Sequence, residues 1–256
     1  MAVLPTRRAL LVALLLALGL AACGSGSTTR QDLVLVLADT AEGAGPVYTE
    51  LAAGGLVLHG GLRRDETPLP TPLELRIELF TSRRDPGFLD TVHPSLPALP
   101  SAVARSGRRA LGFSTPTGLV EGADFERAFD QPGLRGVRNL ERLPATAIPA
   151  AARAAFDELV GDAASRAPAL LLVDLAGGVP EDLDALLDAF APELRTAHLF
   201  VYFTDPLSPD RLLLHGPGLP VGDRNDPVDP RDLFPTAAYR ARTPVPGPVQ
   251  GIDLLR

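Results

Sequence analysis

The chain contains no lysine and no tryptophan, one cysteine and four histidines in 256 residues. Each shortage removes a class of reading. A single cysteine cannot build a disulfide scaffold. All 24 cationic side chains are arginine, and they face 31 acidic ones. The formal charge is therefore −7, and the basic footprint that neutralises nucleic-acid phosphates is missing, so no nucleic-acid partner is expected. Without lysine and with few histidines, the usual bases and nucleophile activators are scarce, and zinc-type sites have few imidazole or thiolate donors. Apolar residues, in contrast, make up 46% of the chain. That is too many for a disordered tail and enough to bury a core in one large domain or two small ones.

The N-terminus reads as an address. Arg7 and Arg8 precede an apolar run over residues 9–20. Twelve residues make a helix of about 18 Å at ~1.5 Å per residue, short of the roughly 20 residues that a bilayer core requires. The run therefore fits the hydrophobic region of a secretory signal peptide, residues 1–22. Leu20-Ala21-Ala22-Cys23 resembles the lipobox of bacterial lipoproteins, and the lone cysteine sits at its acylated position. That resemblance implies lipidation at Cys23, a membrane partner and a cell-envelope location. Two or more acyl chains anchor stably, at about 0.8 kcal/mol per buried CH₂. Gly24 following the cysteine favours the outer membrane if the cell is Gram-negative. Residues 23–31 are small and polar and read as a tether.

Residues 32–256 read as alternating strands and helices. Leu33-Val34-Leu35-Val36-Leu37, Leu170-Leu171-Leu172-Val173 and Leu199-Phe200-Val201-Tyr202-Phe203 are continuous apolar runs, the pattern of strands buried on both faces of a parallel sheet. Residues 56–58, 110–113 and 212–214 add shorter strands. Helices are expected over 47–53, 72–82, 97–106, 148–163, 180–190 and 231–239, with residues 148–163 and 180–190 showing the clearest apolar faces. The alternation predicts an α/β domain, a three-layer sandwich around a mainly parallel sheet.

The order of these segments resembles the sulfatase branch of the alkaline phosphatase superfamily, in a shortened form. Val34-Leu35-Val36-Leu37-Ala38-Asp39-Thr40 matches the first strand and its metal-binding aspartate. Thr49 to Leu58, Leu79-Phe80-Thr81-Ser82 and Ser95 to Thr115 resemble the units that follow. Leu212-Leu213-Leu214-His215-Gly216-Pro217-Gly218, Asp226-Pro227-Val228, Asp232-Leu233-Phe234-Pro235-Thr236 and Gly251-Ile252-Asp253-Leu254-Leu255 match the closing strand, turn and helix. The resemblance implies an alkaline-phosphatase-like fold with loops and part of the usual domain missing.

The active-site positions depart from that pattern. The nucleophile position falls on Pro72, which has no nucleophilic atom, with Thr71 one residue away as the candidate hydroxyl. Arg76 matches the family's helix arginine and is a candidate binding residue. Thr204-Asp205-Pro206-Leu207 keeps the aspartate of a second metal signature without its partner ligand, and Asp174-Leu175-Ala176-Gly177-Gly178 stands where a histidine-bearing loop is expected. Asp39, Asp174 and Asp205 each end a predicted strand. Together they are candidates for an oxygen-ligand site for Ca²⁺ or Mg²⁺; equally, strand-ending aspartates form turns and cap helices. The expectation is a non-catalytic domain without a cofactor that binds an envelope protein or an anionic glycan. The alternative is a metal-dependent sulfuric or phosphoric ester hydrolase with a rearranged site. His59 and His198 read as structural, His93 as solvated and His215 as the histidine nearest a pocket edge. Arg83, Arg84, Arg108 and Arg109 read as solvated surface charges.

Overall fold

A computed structural model describes residues 32–62, 70–84, 91–93, 96, 98–129, 140–161, 169–205, 207–208, 210–245 and 249–256. The expected signal peptide, Cys23 and the expected tether to residue 31 lie outside the described residues. Among the described residues no helix is long and apolar enough to cross a membrane.

The chain runs through β1 (Leu33–Ala38), α1 (Pro46–Ala53), β2 (Leu56–Leu62), α2 (Pro72–Thr81), α3 (Leu99–Arg105), β3 (Arg109–Ser114), α4 (Phe125–Ala128), β4 (Leu140–Arg142) and α5 (Ile148–Gly161). It continues through β5 (Ala169–Asp174), α6 (Pro180–Leu194), β6 (His198–Phe203), β7 (Leu212–His215), β8 (Gly222–Val228) and α7 (Pro230–Arg240). The eight strands form one sheet in the order β4-β3-β5-β1-β6-β7-β2-β8. Every strand runs the same way except β7, which is antiparallel to both β6 and β2.

The two faces follow from the period-two alternation of side chains along each strand. On β1, Leu33, Leu35 and Leu37 point to one face, where Ile77, Leu79 and Phe80 of α2 and Leu233 and Phe234 of α7 pack. Val34, Val36 and Ala38 point to the other, against Tyr48 of α1, Phe156 of α5 and Leu183, Leu186 and Phe190 of α6. Helices on both faces make the three-layer sandwich. Aromatic contacts anchor each layer: Phe80 lies 5.3 Å from Phe125 between ring centroids, and Phe156 lies 5.4 Å from Phe190.

Proline does more than fill connections. It occupies the first or second position of α1, α2, α3, α6 and α7, where its fixed φ suits helix entry and its missing N–H costs nothing.

A strand absent from the expected elements stands at the sheet edge, and one expectation needs correction. Gly222–Val228 is a strand, β8, although its sequence GDRNDPV has no apolar alternation. It pairs with β2 alone at the sheet edge, so only Val228 is buried, and its charges protect that edge from further pairing. Arg108 is not a surface charge: it is 4% exposed.

Candidate functional site

Asp39 follows the last residue of β1, Asp174 is the last residue of β5, and Asp205 lies two residues beyond β6. Strands β5, β1 and β6 are adjacent and parallel, so all three aspartates reach the same carboxyl edge of the sheet. In open α/β sheets ligand sites gather at that edge.

Arg76 reaches this edge from α2. Its Nε donates to Asp174 Oδ2 at 2.5 Å and its Nη2 to Asp174 Oδ1 at 3.1 Å. The same Nη2 stands 3.8 Å from Asp39 Oδ1. Arg76 is 2% exposed and the Asp174 side chain 0%, so this is a buried bidentate ion pair. Asp174 Oδ1 also accepts the Ala176 N–H at 3.0 Å. Burial pushes the Asp174 carboxyl above its ordinary value, and the Arg76 charge and hydrogen bonds oppose that shift. Burial likewise disfavours the guanidinium charge, but Asp174, with help from Asp39, outweighs it and holds Arg76 above its ordinary value.

Asp39 is fixed from two other sides. Thr204 Oγ1 donates to its Oδ1 at 3.0 Å, and the Gly177 N–H donates to its Oδ2 at 2.7 Å. Gly177 sits at φ +70°, a left-handed conformation that favours glycine and aims the N–H at the carboxylate. Gly118 is needed for a different reason. A Cβ there would lie 2.8 Å from the Asp174 carboxylate and 2.7 Å from Ser114 Oγ.

Asp205 is not drawn into this pair. Its Oδ1 accepts the Leu207 N–H two residues on, at 2.8 Å, which is a turn, and its carbonyl accepts Arg211 Nη1 at 2.8 Å. Among the described residues no three His, Cys, Asp or Glu side chains stand together as a metal site. Ca²⁺ or Mg²⁺ would need most of its ligands as free oxygens. Here the carboxylate oxygens already accept protein N–H and O–H groups, and a guanidinium stands beside both. With Arg76 in place, this donor set does not fit a divalent cation.

Thr71 is exposed and caps α2. Its Oγ1 accepts the Glu74 N–H at 3.2 Å, while its own N–H donates to Glu74 Oε2 at 2.5 Å. This reciprocal capping box accounts for both residues, and Pro72 occupies the first helical position. The cavity next to Asp39, walled by Ala38, Leu175, Gly178, Val179 and Leu183, holds about 20 Å³, room for a single water.

Sequence reasoning found Asp39, Asp174 and Arg76 but not Thr204, Gly177 or Gly118. Thr204 carried a usable signal: a hydroxyl directly after an apolar strand and before a singled-out aspartate. His198 lines a cavity of about 600 Å³ at the opposite end of the sheet, and His93 one of about 240 Å³.

No protein-family model and no curated protein matches the sequence. Solved structures do match in fold. Ps i-CgsB aligns with a TM-score of 0.67 at 13% identity, covering 88% of this chain and 75% of that one. The lipoteichoic acid synthase LtaP from Listeria monocytogenes aligns at 0.59 and 9% identity, covering 90% and 75%. The PsFucS1 sulfatase from Pseudoalteromonas sp. aligns at 0.57 and 12% identity, covering 94% and 72%.

Proposed function

We propose that this chain, which has the α/β sandwich of the PsFucS1 sulfatase and LtaP, is a lipid-anchored cell-envelope protein whose sulfatase-like domain binds a partner and does not hydrolyse esters. One observation carries the reading: the Arg76 guanidinium is bound to Asp174 and stands beside Asp39, where hydrolytic chemistry in this fold would need carboxylates open to an ion. Two further observations agree with it. Pro72 supplies no nucleophilic atom, and the adjacent Thr71 hydroxyl is engaged as a helix cap. The Leu20-Ala21-Ala22-Cys23 sequence supports the anchor. An envelope protein or an anionic glycan is the partner class, since arginine is the only cation available to hold it.

The test has two arms. Purified chain is assayed against aryl sulfate and aryl phosphate with Ca²⁺ or Mg²⁺ added; no turnover above a no-protein control is expected. Turnover that disappears in Asp39→Ala would establish the hydrolase instead. In cells, the parent chain is expected in the membrane fraction with acyl label on it, and Cys23→Ser in the soluble fraction without it. Label that persists in Cys23→Ser would refute the anchor.

A further inference from the structure

A cavity of about 600 Å³ lies at the end of the sheet opposite Asp39, where β6 begins and α7 ends. A six-residue strand separates the two ends by roughly 20 Å at ~3.3 Å per residue. His198, Pro217, Tyr239, Arg240, Arg242 and Thr243 line this cavity, and among the described residues no aspartate or glutamate does. In a chain with a formal charge of −7, a recess whose described charged side chains are both arginine is a local reversal of sign.

The arginines are placed by specific devices. Helix α7 closes with the Thr243 N–H bonded to the Ala238 carbonyl at 2.8 Å and the Arg242 N–H bonded to the Tyr239 carbonyl at 3.0 Å. This is a Schellman ending, whose left-handed residue is most often glycine. Here that residue is Arg242, at φ +52°. Glycine would adopt this conformation without strain, so the arginine side chain can be removed there without disturbing the helix ending. Arg240 lies over the Tyr239 ring at 5.1 Å, with Arg256 at 5.0 Å from the same ring. Its Nε is inaccessible to solvent and has no hydrogen-bond partner. His198 Nε2 lies 3.1 Å from the Pro217 carbonyl, which only a protonated Nε2 can bond, and so fixes the ring against the cavity wall.

We propose that this cavity is a binding site for a sulfate or phosphate group, held by Arg240 and Arg242. The tetrahedral oxyanion presents several acceptors to the forked guanidinium donors and supplies the charge that the cavity walls lack. A volume of about 600 Å³ leaves room for more than the anionic group, so the ligand is an oxyanion carried on a larger body, either a soluble ester or a lipid headgroup. The site is independent of what the opposite edge does.

The experiment uses the full chain carrying Cys23→Ser, so that no acyl group confounds membrane binding. Inorganic sulfate and inorganic phosphate are titrated calorimetrically at constant ionic strength against chloride. Saturable binding is expected, weakened by about tenfold or more in Arg240→Ala and in Arg242→Gly. Arg242→Gly is the decisive variant, because glycine suits the left-handed position and this protein should melt no lower than the parent. Asp39→Ala should bind like the parent. Flotation with phosphatidylglycerol vesicles distinguishes the sources: vesicle binding lost in Arg242→Gly assigns the headgroup, and its absence beside sulfate or phosphate binding assigns a soluble ester. Absence of saturable binding to any of these probes, or binding unchanged in both arginine variants, would overturn the proposal.

Discussion

Replacing Arg76 by methionine isolates the contribution of the buried pair. Methionine fills much of the same volume but leaves Asp174, at 0% side-chain exposure, without its counter-charge. Removing one partner of a buried pair costs about 3–5 kcal/mol, chiefly because the remaining charge cannot be solvated. For a domain of this size each kcal/mol lowers the melting temperature by roughly 2–4 °C, so the loss should be about 6–20 °C. The penalty should shrink in acid. Burial already pushes the Asp174 carboxyl above its ordinary value, and without Arg76 it rises further, so protonation relieves the unpaired charge as the pH falls. The double variant Arg76→Met, Asp174→Leu removes both charges and should recover most of the stability, short of about 1 kcal/mol for the Ala176 N–H that loses its acceptor. Urea unfolding at several pH values measures both variants against the parent. EDTA should leave the parent's midpoint unchanged, because the guanidinium already neutralises the carboxylates. An Arg76→Met variant within about 1 kcal/mol of the parent would refute the reasoning. So would a parent midpoint that falls in EDTA and returns with Ca²⁺.

Gly118→Ala should destabilise by about 1–3 kcal/mol, since the new methyl meets the Asp174 carboxylate at 2.8 Å; a variant as stable as the parent in urea would show that the backbone there moves freely. His198 is held below its ordinary value, first by burial and then by the charges of Arg240 and Arg108, so its contribution is complete above pH ~6.5 and is lost as the pH falls through its folded value. Melting temperature should therefore decline from about pH 6.5 downward, and more gently in His198→Gln; equal slopes would refute this. His59 works in the opposite sense, raised mainly by its hydrogen bond to Asp223, but it is exposed and screened, so it should not reverse the trend.

What could be read in the sequence divides along a physical line. The continuous apolar runs of β1, β5 and β6 announce themselves, because a strand buried on both faces admits no polar residue. Their parallel neighbours and their aspartate-bearing ends follow from that. β8 was illegible for the converse reason: an edge strand with most residues in water carries no periodicity, and its pairing with β2 is written in the position of the chain rather than in its side chains. Arg108 reads as a surface charge by type, yet it is buried, and so is Arg211, whose Nη1 is bonded to the Phe203 and Asp205 carbonyls. Nothing in a linear pattern reports that a neighbouring turn leaves carbonyls needing a donor.

The same division explains why three aspartates at one edge have two different uses. A carboxylate at the end of a buried strand is expensive unless something neutralises it, whereas one in the turn beyond can satisfy itself from its own backbone. Asp205 is of the second kind and needs no partner across the sheet. Asp174 is of the first kind and requires a cation. Here that cation is the Arg76 guanidinium, bound bidentately to the carboxylate. Arg76 enters from α2, whose Leu79 and Phe80 are fully buried in the core layer beneath, so its guanidinium is placed by packing rather than by the edge itself. A helix docked by its apolar residues thus delivers the charge that Asp174 pairs with. The edge can keep its aspartates for stability alone, and their presence is therefore not by itself a sign of chemistry.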